Sequence, residues 1–423
     1  MIFSERDTPN KVYMLLVKYN ILLLYVNLDY PLAVWLASAN RDFGSMKEGF
    51  LVDENNGKTY DLWEPRWCSE KKTPLSFSKT EGITPRSIKN SARSIWRYEK
   101  VFPCKIPNPV SLGEGCTPLV PYRYRGTKAL FKLEWFSPTG SFKDRGASAM
   151  MSFLKQQDIQ EVVEDSSGNG GAAIAAYGAA AGISVNIVAP SNASPPKIAQ
   201  IKSYGAKIHL IPGTRAKAEQ AALEMAKNIF YASHNWHPFF LQGTKTLGYE
   251  LWEDLGFKAP DNIIIPTGAG SNVLGCYMAF MELLEAKQIL KLPKIFVVQP
   301  KNCCPIVACW QDGMQALDSL IVTKTIAEGT AINKPIRLTK VLDILKKTNG
   351  GGLAVTEEEI LEATFELSRS GFFVEPTCAS AAVGLEKLRA KNLIGSDETT
   401  VVVLTGSGLK SSGFFIENGE LRQ

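Results

Sequence analysis

The chain has 423 residues, 45% hydrophobic and 21% charged, with a formal net charge of +5. That length suggests two or three domains around a sizeable core, and the composition is that of a globular chain rather than a disordered one. So small a charge gives no reason to expect nucleic acid or an acidic membrane surface as partner.

Eight cysteines show no spacing of a disulfide frame or zinc ribbon, so reduced thiols in a cytoplasmic setting are the simplest account. Three histidines, His209, His234 and His237, leave little room for histidine-based metal or triad chemistry. No metal is expected, and the search moves to lysine.

Residues 1–45 read as an N-terminal extension. The segment 12–37 is apolar, but Lys18, Asn20, Asn27 and Asp29 interrupt it. Its longest unbroken runs, 21–26 and 32–37, fall far short of the ~20 residues that a membrane span needs. No membrane partner is expected. Ala37-Ser38-Ala39 resembles a signal-peptide cleavage site, yet Glu5, Asp7 and Lys18 fit that plan poorly. The expectation is an appendage, with Met46 as the functional start. Residues 46–100 read as a small, short-stranded entry module and linker. Cys68 alone cannot build a metal site, and the polar, basic run 69–91 reads as loop.

After Val101 short β-branched runs alternate with helical stretches. Val162-Val163, 185–188, Lys207–Ile211, 263–265, 295–298 and 401–404 are apolar or nearly apolar runs of strand length, as buried parallel strands require. Helices are expected over 171–181, 215–231, 245–255, 273–286, Glu357–Arg369 and 380–390. Thr356 with Glu359 forms a capping box at the start of one of them. Such alternation implies an α/β fold, with ligands at the carboxyl ends of parallel strands.

Four loops carry candidate chemistry. The first, Ser137-Pro138-Thr139-Gly140-Ser141-Phe142-Lys143-Asp144-Arg145-Gly146, brackets one amine with a proline and two glycines. Lys143 held rigidly there could form a Schiff base with a carbonyl cofactor; the bland alternative is a solvated lysine at a helix start. The second, Asp165-Ser166-Ser167-Gly168-Asn169-Gly170-Gly171, follows a strand and opens an alanine-rich helix. Its backbone can approach an anion and Asn169 can donate to a phenolate, or the loop is an ordinary helix start.

The third is Pro266-Thr267-Gly268-Ala269-Gly270-Ser271-Asn272-Val273. Its amides can cradle a phosphate. Val273 spoils a dinucleotide fingerprint and G-K-[ST] is absent, so a single phosphate monoester is indicated. The fourth is Leu404-Thr405-Gly406-Ser407-Gly408-Leu409-Lys410. Thr405 could set a neutral hydroxyl against a heterocyclic nitrogen; the alternative is a strand-end turn. Ser407 and Lys410 match S-x-x-K, but the companion motifs are missing. Amine, asparagine, glycine cradle and hydroxyl together match the aldehyde, phenolate, phosphate and ring nitrogen of pyridoxal phosphate.

On these residues, with residues 111–119, Gly243-Thr244-Lys245-Thr246 and Glu375-Pro376-Thr377, the chain resembles the tryptophan-synthase-β-like pyridoxal-phosphate enzymes. These are called fold type II, and the likeness within them is to the threonine synthases. It covers residues from 94 to the C-terminus, and more weakly 46–67. The resemblance implies two domains of parallel or mixed sheet with helices on both faces. The larger, 101–150 with 245–423, would bind the cofactor, and the smaller, 151–244, would carry the Ser-Ser-Gly-Asn loop.

It further implies that Lys143 is the Schiff-base lysine and proton shuttle, and that Asn169 meets the phenolate oxygen. Gly268, Ala269, Gly270, Ser271 and Asn272 would hold the phosphate, and Thr405 would face the ring nitrogen. The activity implied is elimination or replacement on an amino acid, as in converting O-phosphohomoserine and water to threonine and phosphate. Relatives of this kind are often homodimers.

Two departures bear on the substrate. Gly170 stands where threonine synthases carry a threonine for the substrate phosphate, and Phe240 stands where they carry an arginine. Losing that arginine removes a bidentate phosphate contact. The substrate is then unphosphorylated, as for a serine/threonine ammonia-lyase or a β-replacement synthase, or it is held otherwise. Ser166, Ser167, Lys245, Lys410 and Asn272 are the candidates for holding it. A non-catalytic cofactor-binding homologue is the remaining alternative, which the retention of Lys143 argues against.

Overall fold

The computed structural model describes residues 12–17, 20–25 and 49–419, apart from Lys79, Asn192 and Ser194. It holds two compact units, Met1–Lys47 and Glu48–Gln423. In the first, β1 (Val12–Val17) pairs antiparallel with β2 (Asn20–Tyr25). Met46, the expected start, lies outside the described residues.

The second unit begins with a small antiparallel sheet of β3 (Leu51–Asp53), β4 (Thr59–Tyr60) and β5 (Leu75–Phe77), with β3 in the middle. β5 lies inside the run expected to be loop. Leu75 is fully buried and pairs with Asp53, a long-range contact that outweighs the polar local composition.

Two larger sheets follow. β6 (Leu119–Tyr124) and β7 (Thr127–Leu133) form a hairpin at one edge of a six-stranded sheet. β8 (Glu161–Glu164), β9 (Ser184–Pro190), β10 (Lys207–Ile211) and β11 (Phe230–Tyr231) make a four-stranded parallel sheet in the order β10-β9-β8-β11. β12 (Asn262–Pro266), β13 (Lys294–Pro300), β14 (Gly351–Val355) and β15 (Thr400–Leu404) complete the six-stranded sheet, ordered β14-β13-β12-β15-β7-β6. Every pairing in it except the β6–β7 hairpin is parallel.

The helices in chain order are α1 (Lys143–Gln156), α2 (Asn169–Ala181), α3 (Pro195–Ser203), α4 (Arg215–Met225), α5 (Pro238–Asp254) and α6 (Ser271–Glu285). After them come α7 (Pro305–Asp312), α8 (Ala316–Ser319), α9 (Leu338–Lys347), α10 (Glu357–Arg369), α11 (Pro376–Ala390) and α12 (Ser412–Gly419). Among the described residues no helix is long and apolar enough to cross a membrane.

The continuous apolar runs are explained by helices on both faces. Ile263, Ile265, Ile295, Val297, Val401 and Val403 point into one core, shared with α5, α6 and α9. Their neighbours Ile264, Phe296, Val298, Val402 and Leu404 point into another, shared with α10 and α11. Alternate residues of a strand face opposite sides, so a strand covered twice must be apolar throughout. β10 departs from this expectation: it is the sheet's edge strand, and none of its residues is buried.

Three helix boundaries differ from the expected ones by more than two residues. Residues expected to extend the helix over 215–231 leave it after Met225, because Phe230 and Tyr231 pair with Val162 and Val163. The helix expected from Lys245 starts at Pro238, with His237 as N-cap, through Phe239-Phe240-Leu241, an apolar run with no polar face to set a period. The helix expected from Ser380 starts at Pro376 for the same first-turn reason. The capping box at Thr356 forms as expected, Glu359 N donating to Thr356 Oγ1 at 3.3 Å and Thr356 N to Glu359 Oε2 at 2.8 Å.

α5 packs on both α1 and α6. A Cβ at Gly243 would stand 2.0 Å from the Arg145 carbonyl oxygen, and one at Gly275 would stand 2.6 Å from the Thr244 carbonyl carbon. Only glycine permits these backbones to touch. Under the start of α1, buried Arg145 bonds Glu134 at 2.7 and 2.8 Å and Glu250 at 2.9 Å through two nitrogens. Lys132 reaches Glu250 and Asp254 at 2.7 Å each. The motif at 111–119 belongs to this framework: Glu250 accepts from the backbone of Cys116 and Thr117, and Glu114 accepts from Ser148 and Tyr177.

Candidate active site

The parallel strands aim their carboxyl ends at one cleft. β12 delivers Gly268, Ala269, Gly270, Ser271 and Asn272; β15 delivers Thr405; and the turn before α1 delivers Phe142 and Lys143. All of these line the same cavity, with His234, Asn235, Gly329, Thr330 and Thr377.

Lys143 is the first residue of α1, where the helix dipole disfavours a positive charge. Its turn is laced to the last loop: Phe142 N donates to Thr405 O at 3.0 Å and Ser407 N to Gly140 O at 2.9 Å. The ammonium lies 4.7 Å from the Phe142 ring centroid and 5.6 Å from that of Phe240. No hydrogen bond to Nζ is found among the described residues. Burial pushes its pKa down to about 8; Glu164 opposes the shift and Arg215 adds to it. A lysine tuned this way is both a nucleophile and a proton carrier near neutral pH.

Across the cleft, Gly270 caps α6 with φ of 95°, a conformation that favours glycine. The turn leaves the first amides of α6 free to meet an anion. Asn272, buried and lining the cavity, has no partner for either Oδ1 or Nδ2. Thr244 Oγ1 donates to Leu241 O or Ser271 O, 3.1 Å from each, which ties this loop to α5.

Asn169 opens α2 after β8. Its Nδ2 donates to Glu375 Oε2 at 2.8 Å, and its buried Oδ1 has no partner. Glu375 in turn packs on Gly406, next to Thr405. Cys378 Sγ accepts from the backbone N–H of Thr405 and Gly406 at 3.1 Å each and lies 3.5 Å from Thr405 Oγ1, fixing the loop. Ser166 is buried and Ser167 partly buried in the loop before Asn169. A Cβ at Gly170 would lie 3.0 Å from Ser166 Oγ.

Two other candidates stand apart from the cleft. Lys245 Nζ donates to Thr80 Oγ1, Val101 O and Glu282 Oε1 at 3.0, 2.6 and 3.0 Å, and Tyr249 OH also reaches Glu282 at 2.6 Å. A lysine with three donors so engaged inside a core has none left for a substrate. Lys410 Nζ donates to Thr139 O at 2.8 Å and Gln200 Oε1 at 2.6 Å, and it lines a neighbouring cavity with Lys197 and Phe373.

His234 is the residue that histidine scarcity led the sequence reading to pass over. It lines the cleft, with Nδ1 2.7 Å from Glu164 Oε1 while its backbone N donates to Glu164 Oε2 at 3.0 Å. The available signal was a glutamate ending β8 and a histidine after β11, because those strands are neighbours.

An amine beside a helix-start anion cradle, at the carboxyl ends of two parallel sheets, is the architecture of fold type II pyridoxal-phosphate enzymes. Solved structures share it. O-ureido-L-serine synthase superposes with a TM-score of 0.60 at 22% identity, over 74% of this chain and 95% of its own. A fungal L-serine ammonia-lyase from Rhizomucor miehei does so at 0.62 and 21%, over 73% and 99%.

The family described as "Pyridoxal-phosphate dependent enzyme" matches residues 110–406, and the chain belongs to it. A threonine synthase of Methanosarcina acetivorans is 35% identical over 78% of this chain and 83% of its own length. One from Methanocaldococcus jannaschii is 33% identical over 86% and 93%. The chain is therefore a threonine-synthase-like lyase with pyridoxal phosphate as cofactor. The site fits that group: the cleft presents a pKa-lowered amine, free helix-start amides and an asparagine whose two polar atoms await partners.

Proposed function

We propose that this enzyme converts O-phosphohomoserine and water to threonine and phosphate. The observation that carries the reading is that Lys143 and the Gly268–Ala269–Gly270–Ser271–Asn272 cradle line one cleft. The relatives that match most of the chain and carry this activity in their names support it.

The cofactor, when bound, draws electrons from the substrate's α-carbon and so makes its proton removable. Lys143 anchors it covalently, then takes and returns that proton, which an amine with a pKa of about 8 can do in both directions. Free amides at Ser271 and Asn272 grip the phosphate. Asn169 would orient the phenolate side through Nδ2, whose second hydrogen is not used by the bond to Glu375 Oε2, and Thr405 would present a neutral hydroxyl to the ring nitrogen, leaving it unprotonated. Ser166 and Ser167, in the loop before α2, are the candidates to meet the substrate. The reading includes a large cofactor domain, 101–150 with 245–423, a smaller 151–244 domain, and a cytoplasmic homodimer.

A second reading, ammonia-lyase or β-replacement on an unphosphorylated amino acid, draws on Phe240. It is fully buried beside Lys143, at the position where the resemblance leads one to expect an arginine. The test is phosphate release from O-phosphohomoserine set against keto-acid formation from threonine and serine. Keto acid without phosphate would reject the first reading.

A further inference from the structure

His234 makes a contact that the cofactor's four handles leave unused. Its backbone and ring are both clamped by Glu164, at 3.0 and 2.7 Å. Both groups are buried. The clamp leaves Nε2 as the free ring nitrogen, with no partner among the described residues, on a ring that lines the cleft with Lys143.

Space at this position is reserved for the ring. A Cβ at Gly170 would stand 2.8 Å from both Cε1 and Nδ1 of His234. Phe240 closes the other side, with its ring centroid 5.6 Å away and nearly edge-on. Thus Gly170 and Phe240 both border this imidazole. Glycine at 170 makes room for it and phenylalanine at 240 supports it.

The proton's place follows from the surroundings. Burial, with Asp165 beside it, lifts the Glu164 carboxyl well above its ordinary range. Burial, with Lys143 and Arg215 nearby, holds the His234 imidazole well below its own. Both shifts favour the proton of the 2.7 Å contact on the carboxyl, which donates to Nδ1 and leaves the ring's N–H on Nε2.

We propose that His234, oriented by Glu164, is the specificity-determining donor of this site, its Nε2–H receiving an oxygen of the substrate's oxyanionic leaving group, a phosphate monoester foremost. This rests on the elimination chemistry proposed above. It supplies one hydrogen bond where an arginine fork would supply two.

The test uses the cofactor-loaded enzyme and its His234→Ala and His234→Gln variants, with O-phosphohomoserine as substrate and inorganic phosphate as inhibitor. A hydrogen bond to a charged group is worth roughly 1.5–3 kcal/mol, so kcat/KM should fall about 10- to 150-fold in His234→Ala. Inhibition by inorganic phosphate should weaken by a similar factor. Cofactor absorbance and its borohydride-fixable link to Lys143 should be unchanged. His234→Gln, which keeps an N–H donor, should recover part of the loss.

Wild-type phosphate inhibition in His234→Ala overturns the proposal. So does loss of the cofactor from both variants, which would make the ring a structural support. If the wild type forms only keto acid, the threonine-synthase reading fails on its own. Phosphate inhibition of that reaction, weakened or not in His234→Ala, then decides for or against the donor.

Discussion

The rate at which the cofactor-free protein takes up pyridoxal phosphate should follow the titration of Lys143. Only a neutral amine attacks the cofactor's carbonyl. Burial brings Lys143 down from 10.5 to about 8, with Arg215 contributing and Glu164 opposing. At pH 7 that leaves ~9% of the amine neutral, against ~0.03% for an ordinary lysine, a ~300-fold advantage. Because the lowered group is a cation, the reactive form grows as pH rises through the folded value. The rate should climb nearly tenfold from pH 6 to 7 and level off above about 8.5.

Stopped-flow absorbance of cofactor mixed with cofactor-free protein, from pH 6 to 10, reads this directly. Arg215→Ala removes one of the charges holding the amine down and should move the inflection upward. A rate still climbing past pH 9.5 would refute the desolvated lysine. An inflection unmoved in Arg215→Ala would refute the part assigned to that arginine.

Lys143→Ala should abolish covalent retention of the cofactor, checked by borohydride reduction and peptide mass. Glu250→Gln leaves Arg145 and Lys132 short of a buried counter-charge and should cost about 3–5 kcal/mol, read from the urea midpoint. Burial alone would raise the Glu250 pKa, but Arg145 and Lys132 overcome that and hold it well below its ordinary range. Its contribution is therefore present above the ordinary carboxylate pKa and is lost as pH falls through the folded one. Gly170→Ala puts a methyl group 2.8 Å from the His234 ring and should destabilise by about 1–3 kcal/mol. It should also weaken phosphate inhibition, and wild-type values of both would show that the ring moves freely.

Strands such as β12 and β15 were legible because the runs 263–265 and 401–404 declare their own burial: each residue meets a core on one side or the other. Glu357–Arg369 was legible to the residue because its cap is local. Lys245 was not. Its role is set by Glu282, thirty-seven positions away, and Thr80, 165 away, so that a lysine in a glycine-threonine stretch reads as polar while it lies in a core. β5 and β11 escaped for a related reason, since each is short and exists only through its partner strand. His234 illustrates the limit of composition: that histidines are few says nothing about where one of them sits.

The bare backbone contact at Gly243 has an engineering consequence. α5 is the spacer between the helix that begins with Lys143 and the helix whose first amides form the cradle, and it packs on both with glycines at the seams, where no Cβ would fit. The distance from amine to cradle is thus a dimension machined by glycines remote from the cleft. Restoring an arginine at 240 is then no simple exchange. The Phe240 ring occupies the place a Cβ at Gly146 would take, at 2.5 Å, so a new side chain there must be bedded against α1 itself. A designer who wants another substrate grip should recut that seam first, and only then choose the residue that reaches into the site.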